Sequence, residues 1–166
     1  MEKSEKTSVI IDAVDAGRTD EVLELIQEYL EWMVTEHPHL EKVQKVVESQ
    51  GVTTELTDLA GYYERLWLAT IDGKAVGCSM FKRLNETTAE MKRVYVRPSG
   101  RGHGFGRRLV ETTIDAARDA GYQYMYLDSD PEFATAIAMY ERMGFEYIER
   151  YNNNPAEDAV FMRLAL

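Results

Sequence analysis

Two hydrophobic periods alternate along the chain. Ser8 to Val14 is a short β-branched run and reads as an opening strand. After Thr19, which can cap a helix, Val22, Leu25, Ile26, Tyr29, Leu30 and Met33 recur at spacings of three and four. They predict a core-facing amphipathic helix ending before Pro38. A second helix, roughly Leu40 to Ser49, uses Val43, Val46 and Val47 and stops at Gly51. Between Val52 and Tyr63 neither period is strong, and Gly61-Tyr62-Tyr63 reads as an aromatic loop. Arg65 to Ile71 and Ala75 to Lys82 flank the hairpin signal Asp72-Gly73, and Asn85-Glu86 turns the chain into Thr88 to Val96, which predicts three antiparallel strands. Glycines 100, 102, 104 and 106 lead into a helix with Leu109, Val110, Thr113, Ile114 and Ala117 on one face, closed by Gly121. Tyr124 to Leu127 is a buried strand and Ala134 to Met143 a helix ended by Gly144. Strands at about Glu146 to Tyr151 and Ala159 to Leu166 follow, separated by Asn152-Asn153-Asn154-Pro155. The order β-αα-βββ-α-β-α-ββ, with no repeat or linker, predicts a mixed α/β (α+β) sheet with helices on both faces. It forms a single domain over residues 8–166, after a flexible N-terminus at 1–7.

Composition narrows the class. The 166 residues are 45% hydrophobic and 29% charged, enough for one core and unlike low-complexity or disordered chains. One cysteine, Cys78, cannot form an internal disulfide or a multi-thiolate zinc cage, which fits a reducing, cytoplasmic setting. The charged start and the lack of any run near ~18 apolar residues predict neither secretion nor membrane insertion. The net charge of -10 disfavours nucleic acid and anionic membranes and favours cationic partners. Against that background Lys92, Arg93, Arg97, Arg101, Arg107 and Arg108 stand together with no acid between Met91 and Val110, which marks an anion site. His37 and His39 lack carboxylate company, so no metal is predicted. Cys78 reads as a small buried hydrophobe. A spare stripe on the first helix leaves room for a homodimer.

The strand ending at Val96, then Arg101-Gly102-His103-Gly104-Phe105-Gly106, then a helix, aims free backbone N–H groups at an anion. The spacing fits neither G-x-G-x-x-G nor a Walker loop, because Arg107 and Leu109 stand where a third glycine would be needed and Lys-Ser/Thr is absent. It does fit R-x-x-G-x-G. Together with Arg93-Val94-Tyr95-Val96-Arg97-Pro98 and Met139-Tyr140-Glu141-Arg142-Met143-Gly144-Phe145, this loop resembles the GNAT superfamily of acyl-CoA-dependent N-acyltransferases. The resemblance runs from about Ser8 to the end and is densest from Glu90 to Phe145.

The resemblance implies a mostly antiparallel twisted sheet whose fourth and fifth strands splay apart, and acetyl-CoA as co-substrate. The diphosphate would lie on amides of Gly102, His103, Gly104, Phe105, Gly106 and Arg107, with Arg101, Arg107 or Arg108 adding charge. The pantetheine arm would pair with backbone at Val94 and Val96. Tyr140 matches the family's general acid: a phenol of ordinary pKa about 10 is protonated at neutral pH and can donate to a thiolate. Glu90 matches the general base, acting directly or through water, and strand alternation places it on the face of Val94 and Val96. Phe133 replaces an asparagine frequent in the family, leaving a polar contact to Ser129 or Asp130. Tyr62, Tyr63, Tyr151 and Asn152 are candidate acceptor contacts, and Glu55, Asp58 and Glu64 offer carboxylates to an ammonium. The implied function is acetyl transfer to a primary amine in a ternary complex, with a small-molecule acceptor. The alternatives are a protein N-terminus or lysine as acceptor, or a non-catalytic acyl-CoA-binding module.

Overall fold

A computed structural model describes residues 5–36 and 52–166. The predicted helix over Leu40 to Ser49 and the two histidines beside Pro38 lie outside the described residues. Seven strands, β1 (Ser8–Asp12), β2 (Arg65–Ile71), β3 (Lys74–Arg83), β4 (Thr88–Val96), β5 (Tyr124–Ser129), β6 (Glu146–Tyr147) and β7 (Val160–Ala165), form one sheet in the order β1-β2-β3-β4-β5-β7-β6. The helices are α1 (Thr19–Glu36), α2 (Val52–Thr57), α3 (Leu59–Tyr62), α4 (Phe105–Asp119) and α5 (Ala134–Arg142). Among the described residues no helix is long and apolar enough to cross a membrane.

Local chemistry explains where elements start and stop. β1 ends at Asp12, two residues before the predicted limit, because the Asp12 carboxylate accepts the N–H groups of Val14 and Asp15 at 2.9 and 3.0 Å and bends the chain. Thr7, assigned by sequence to the flexible end, is tied to the hairpin turn through Asp72 Oδ1 at 2.9 Å. That turn has Asp72 and Gly73 at φ 49° and 78°, the left-handed pair that matches strand twist. The stretch of weak periodicity from Val52 to Tyr63 forms two short helices, and Gly61 and Tyr62, read as part of a loop, belong to α3, which is capped by Asp58 accepting from the Gly61 N–H at 3.0 Å. The strand predicted to reach Tyr151 pairs only at Glu146 and Tyr147, beyond which the chain turns inward and Tyr151 is used elsewhere.

α1 covers Leu66, Leu68, Cys78 and Met80 on one face. α4 covers the other, where Val110, Ile114 and Ala117 meet Phe81, Met91 and Met125. Ser79 faces α4 and shares a 2.9 Å hydrogen bond with Thr113. Burial pushes the Cys78 thiol up to about 12.

Two departures from a regular sheet shape the middle of the molecule. All neighbouring strands are antiparallel except β4 and β5, which are parallel and pair only at Thr88–Tyr124, Ala89–Met125 and Glu90–Tyr126. Beyond Glu90 they part. The second departure is a bulge in β4: Cys78 stands opposite Tyr95 and Met80 opposite Lys92, so three steps on β4 match two on β3. Arg93 supplies the extra residue at φ 54°, a left-handed conformation that costs a residue with a Cβ about 1–2 kcal/mol. Its guanidinium forms a two-pronged pair with Glu55 of α2 at 3.0 and 3.0 Å, and Glu55 also accepts from Tyr63 at 2.5 Å.

The bulge corrects the alternation expected from sequence. Val94 joins the cluster of Val110 and Ile114, and Val96 that of Phe105 and Leu109, on the α4 face. Tyr95 joins Leu25 and Ile26 on the α1 face, where Tyr151 and Lys82 also meet Glu90. Glu90 and the two valines therefore lie on opposite faces. Glu55, expected as a carboxylate available to an ammonium, is 1% exposed and held by Arg93. Asp58 is a helix cap, and Glu64 accepts from Tyr122.

Candidate active site

Where β4 and β5 separate, a cavity of about 840 Å³ opens between α1, the freed edge of β4, the end of β5 and α5. It is lined by Val94, Val96, Arg101, Gly106, Arg107 and Tyr140 among the candidate site residues, by Lys92, named from sequence only within the basic window, by Tyr29, named only as a core position, and by Trp32 and Asp128, which were not named. The volume is that of a small-molecule site.

At the start of α4 the backbone is bare. Gly102 and Gly104 sit at φ 82° and 71°, and Gly104 caps the helix with no side-chain hydrogen bond. None of the N–H groups from Gly102 through Arg107 bonds to a described residue; the first helical bond runs from Arg108 N–H to the Gly104 carbonyl. These unpaired donors and the helix dipole make a cradle for an anion. Only the backbone of Phe105 can take part, since its ring is 1% exposed in the core against Leu109. His103 is exposed.

The basic window is less free than its sequence suggests. Arg93 is held by Glu55, and Arg97 by Glu28 at 2.9 Å and the Ala75 carbonyl at 2.9 Å. Arg108 turns toward Ser8 and lies over the Phe105 ring. Arg107 makes an exposed pair with Glu111 at 2.7 Å. The Arg101 side chain makes no hydrogen bond or ion pair with the described residues, while its backbone N–H donates to the Pro98 carbonyl at 3.3 Å.

Gly106 needs no glycine for the fold: its φ is not positive and a Cβ would meet nothing within 4 Å. Gly106→Ala is therefore expected to keep or raise stability, by up to about 1 kcal/mol from helix propensity. If an anion sits against these amides, the methyl overpacks it at a cost of about 1–3 kcal/mol, roughly tenfold or more in Kd. Thermal denaturation and calorimetric titration with CoA separate the two effects, and an unchanged Kd would remove the loop as the anion site.

Tyr140 projects from α5 beside Phe145, the ring centroids 5.5 Å apart, and lines the cavity. Its hydroxyl has no hydrogen-bond partner among the described residues and is not sealed from the cavity. Burial, with Tyr29 nearby, raises its pKa well above the ordinary phenol value, so the proton is held.

The α1 face carries a charged cluster. Glu90, 2% exposed and behind the cavity wall, accepts from Tyr151 Oη at 2.5 Å through Oε2, while Oε1 lies 3.7 Å from Lys82 and 3.6 Å from Lys92. Lys92 Nζ is also 3.7 Å from Asp128 Oδ1, and Asp128 Oδ2 accepts from Asn152 at 2.7 Å and Asn154 at 3.2 Å. Burial opposes ionisation of Asp128, but Lys92, the two amides and Arg93 outweigh it and hold the carboxyl below its ordinary pKa. Burial, then the Glu90 and Asp128 charges, raise the Tyr151 phenol. Lys82 lies over the Tyr62 ring, 5.2 Å from its centroid. Glu90, Tyr62, Tyr151 and Asn152 thus gather around two lysines and Asp128. Tyr63 does not join them; it is 4% exposed in the core beside Glu55.

The model of the Acetyltransferase (GNAT) family matches residues 23–145. The chain belongs to the GNAT acetyltransferase family. An uncharacterized N-acetyltransferase of Schizosaccharomyces pombe is 37% identical over 95 residues, 57% of this chain and 58% of that protein. An IAA acetyltransferase of Azospirillum brasilense is 38% identical over 92 residues, 55% of this chain and 60% of that protein. The chain spans about half the length of the curated relatives it matches. A crystal structure of an acetyltransferase from Streptococcus agalactiae shares the fold at TM-score 0.75 and 20% identity, covering 96% of this chain and 98% of that one. An acetyltransferase structure from Salmonella typhimurium with acetyl-CoA aligns at TM-score 0.61 and 20% identity, covering 98% and 94%.

Within this GNAT frame, Phe133 precedes α5 without a side-chain cap and stacks on Trp32, centroids 5.7 Å apart. An aromatic contact thus occupies the place of the family's frequent asparagine, while Ser129 and Asp130 line the cavity nearby. Lys92 stands two residues from Glu90 on β4 and so shares its face; Asp128 carried no motif and became visible only through its place where β5 leaves β4.

Proposed function

We propose that this chain is an acetyl-CoA-dependent N-acetyltransferase acting on a primary amine of small size in a ternary complex. The observation that carries the reading is one cavity, opened by the parting of β4 and β5, lined both by Gly106 of the unpaired amide run and by Tyr140 with its unbonded hydroxyl. In this reading Gly102 through Arg107 hold the diphosphate and Arg101 adds charge. The freed backbone edge at Val94 and Val96 pairs with the pantetheine amides. A volume of about 840 Å³ leaves room beside that arm for a small acceptor.

An ammonium loses one proton to become a nucleophilic amine, which attacks the thioester carbon. The N–C bond forms, the C–S bond breaks and the nitrogen loses a second proton. Tyr140 protonates the departing sulfur, so the net products are amide, CoA thiol and one proton. Glu90 draws the proton from nitrogen through water, since it stands behind Lys92 rather than in the cavity wall.

Titration of free thiol during incubation with acetyl-CoA and a panel of amines tests the reading. Amine-dependent release is expected, and CoA binding with no release across the panel would overturn it. Glu90→Gln is expected to lower kcat/KM by about 10²-fold and to flatten the ascending limb of its pH profile. A profile superimposable on the parent's would place the base elsewhere.

A further inference from the structure

The Lys92 ammonium is in ion-pair range of two carboxylates but is hydrogen-bonded to no described residue. The side chain is 13% exposed and lines the cavity, and the ion-pair partners of Nζ, Glu90 Oε1 and Asp128 Oδ1, stand off at 3.6 and 3.7 Å. A direct charge-assisted bond is about 2.8 Å, so three N–H donors have unused capacity in a mostly buried place. The carboxylates are arranged to match. Tyr151 occupies Oε2 of Glu90, and Asn152 and Asn154 occupy Oδ2 of Asp128, which leaves the oxygens facing Lys92 open. Asp128 reaches the cavity beside Lys92, while Glu90 and Lys82 stand behind.

The cluster is also neutral as a whole, two lysines against two carboxylates. A simple ammonium entering here would add a third cation with no new anion to offset it, and a simple carboxylate would do the reverse. A ligand carrying both charges fits each open position: its anion on Lys92 Nζ and its cation on Asp128 Oδ1. Tyr29, Trp32 and Phe133, stacked in sequence along the same cavity, give an apolar wall for the rest of that ligand.

We propose, resting on the acetyltransferase reading above, that the acceptor is a zwitterionic amino carboxylate whose carboxylate is held by Lys92 and whose ammonium meets Asp128. The carboxylate takes no part in bond making. It fixes the amine near Asp128 and Glu90 before proton loss.

The test uses matched pairs that differ only in the carboxylate: phenylalanine and 2-phenylethylamine, methionine and 3-(methylthio)propylamine, alanine and ethylamine. Each is titrated calorimetrically into the CoA-saturated protein and then assayed for thiol release with acetyl-CoA. In at least one pair the amino acid is expected to bind at least tenfold more tightly than its amine, and Lys92→Met to erase that preference by weakening the amino acid, with the amine binding as tightly as before or more tightly because a neighbouring cation is gone. Equal or tighter binding of the amine in every pair overturns the proposal, and needs no variant to fold. A Lys92→Met protein in which kcat falls alike for all acceptors with the preference intact also overturns it, since Lys92 would then act on the reacting oxygen. Amino-acid preference in binding without any thiol release supports the site and instead defeats the transferase reading.

Discussion

Glu55→Ala is expected to lose about 3–5 kcal/mol of unfolding free energy, because it strands the Arg93 guanidinium, side chain 9% exposed, with no counter-charge. The two-pronged pair at 3.0 Å, and the 2.5 Å bond from Tyr63, make Glu55 the common acceptor of a buried cluster linking α2 to β4. Burial lowers the Arg93 pKa, but the Glu55 hydrogen bonds and charge outweigh it, so the guanidinium stays charged and cannot escape the loss by neutralising. Urea denaturation measures the effect. The double variant Glu55→Leu/Arg93→Met is expected to recover most of it, since two apolar groups leave no orphaned charge. A single-variant loss below about 1 kcal/mol, the range of an exposed pair, would show that this cluster does not hold the β4 bulge. The bulge matters beyond stability: it turns Val94 and Val96 toward α4 while leaving Lys92 on the α1 face, so one strand serves both sides of the cavity.

Tyr140→Phe is expected to lower kcat by about 10²-fold or more, the usual contribution of a positioned acid. The change removes one oxygen and no internal hydrogen bond, since that hydroxyl has no partner among the described residues. Melting temperature and CoA affinity should therefore stay close to the parent's. The raised pKa keeps the phenol protonated, so no loss of activity from Tyr140 ionisation is expected below about pH 10. Single-turnover assays with saturating acetyl-CoA isolate the chemical step. A parent-like rate would remove Tyr140 from the chemistry and leave it as cavity lining.

What could be read in the sequence was set by local signals. β4 has the limits predicted for it, Thr88–Val96, and the Asp72-Gly73 hairpin and the helix stops at Gly121 and Gly144 occur where turn chemistry demands them. The glycine run before α4 was legible because its reason is local: bare amides and positive φ at Gly102 and Gly104. The β4 bulge was not. An arginine in the left-handed region has no sequence mark, and its holding partner Glu55 is 38 residues away in a stretch of weak periodicity. That one residue inverted the face expected for the valines relative to Glu90. Burial was hidden for the same reason: Glu90 was singled out as a base and Glu55 as a carboxylate for an ammonium, but nothing local marks them as 2% and 1% exposed, each paired with groups distant in sequence. The Asp58 cap of α3 was missed, because Asp58 was offered to an ammonium and Gly61-Tyr62 read as a loop, whereas the carboxylate accepts from the Gly61 N–H.

A crystal structure of the protein with CoA tests the central claim most directly. The account predicts diphosphate oxygens within hydrogen-bonding distance of the amides between Gly102 and Arg107, and the sulfur beside the Tyr140 hydroxyl in the gap between β4 and β5. A diphosphate bound away from the start of α4, or a sulfur outside that gap, would contradict it.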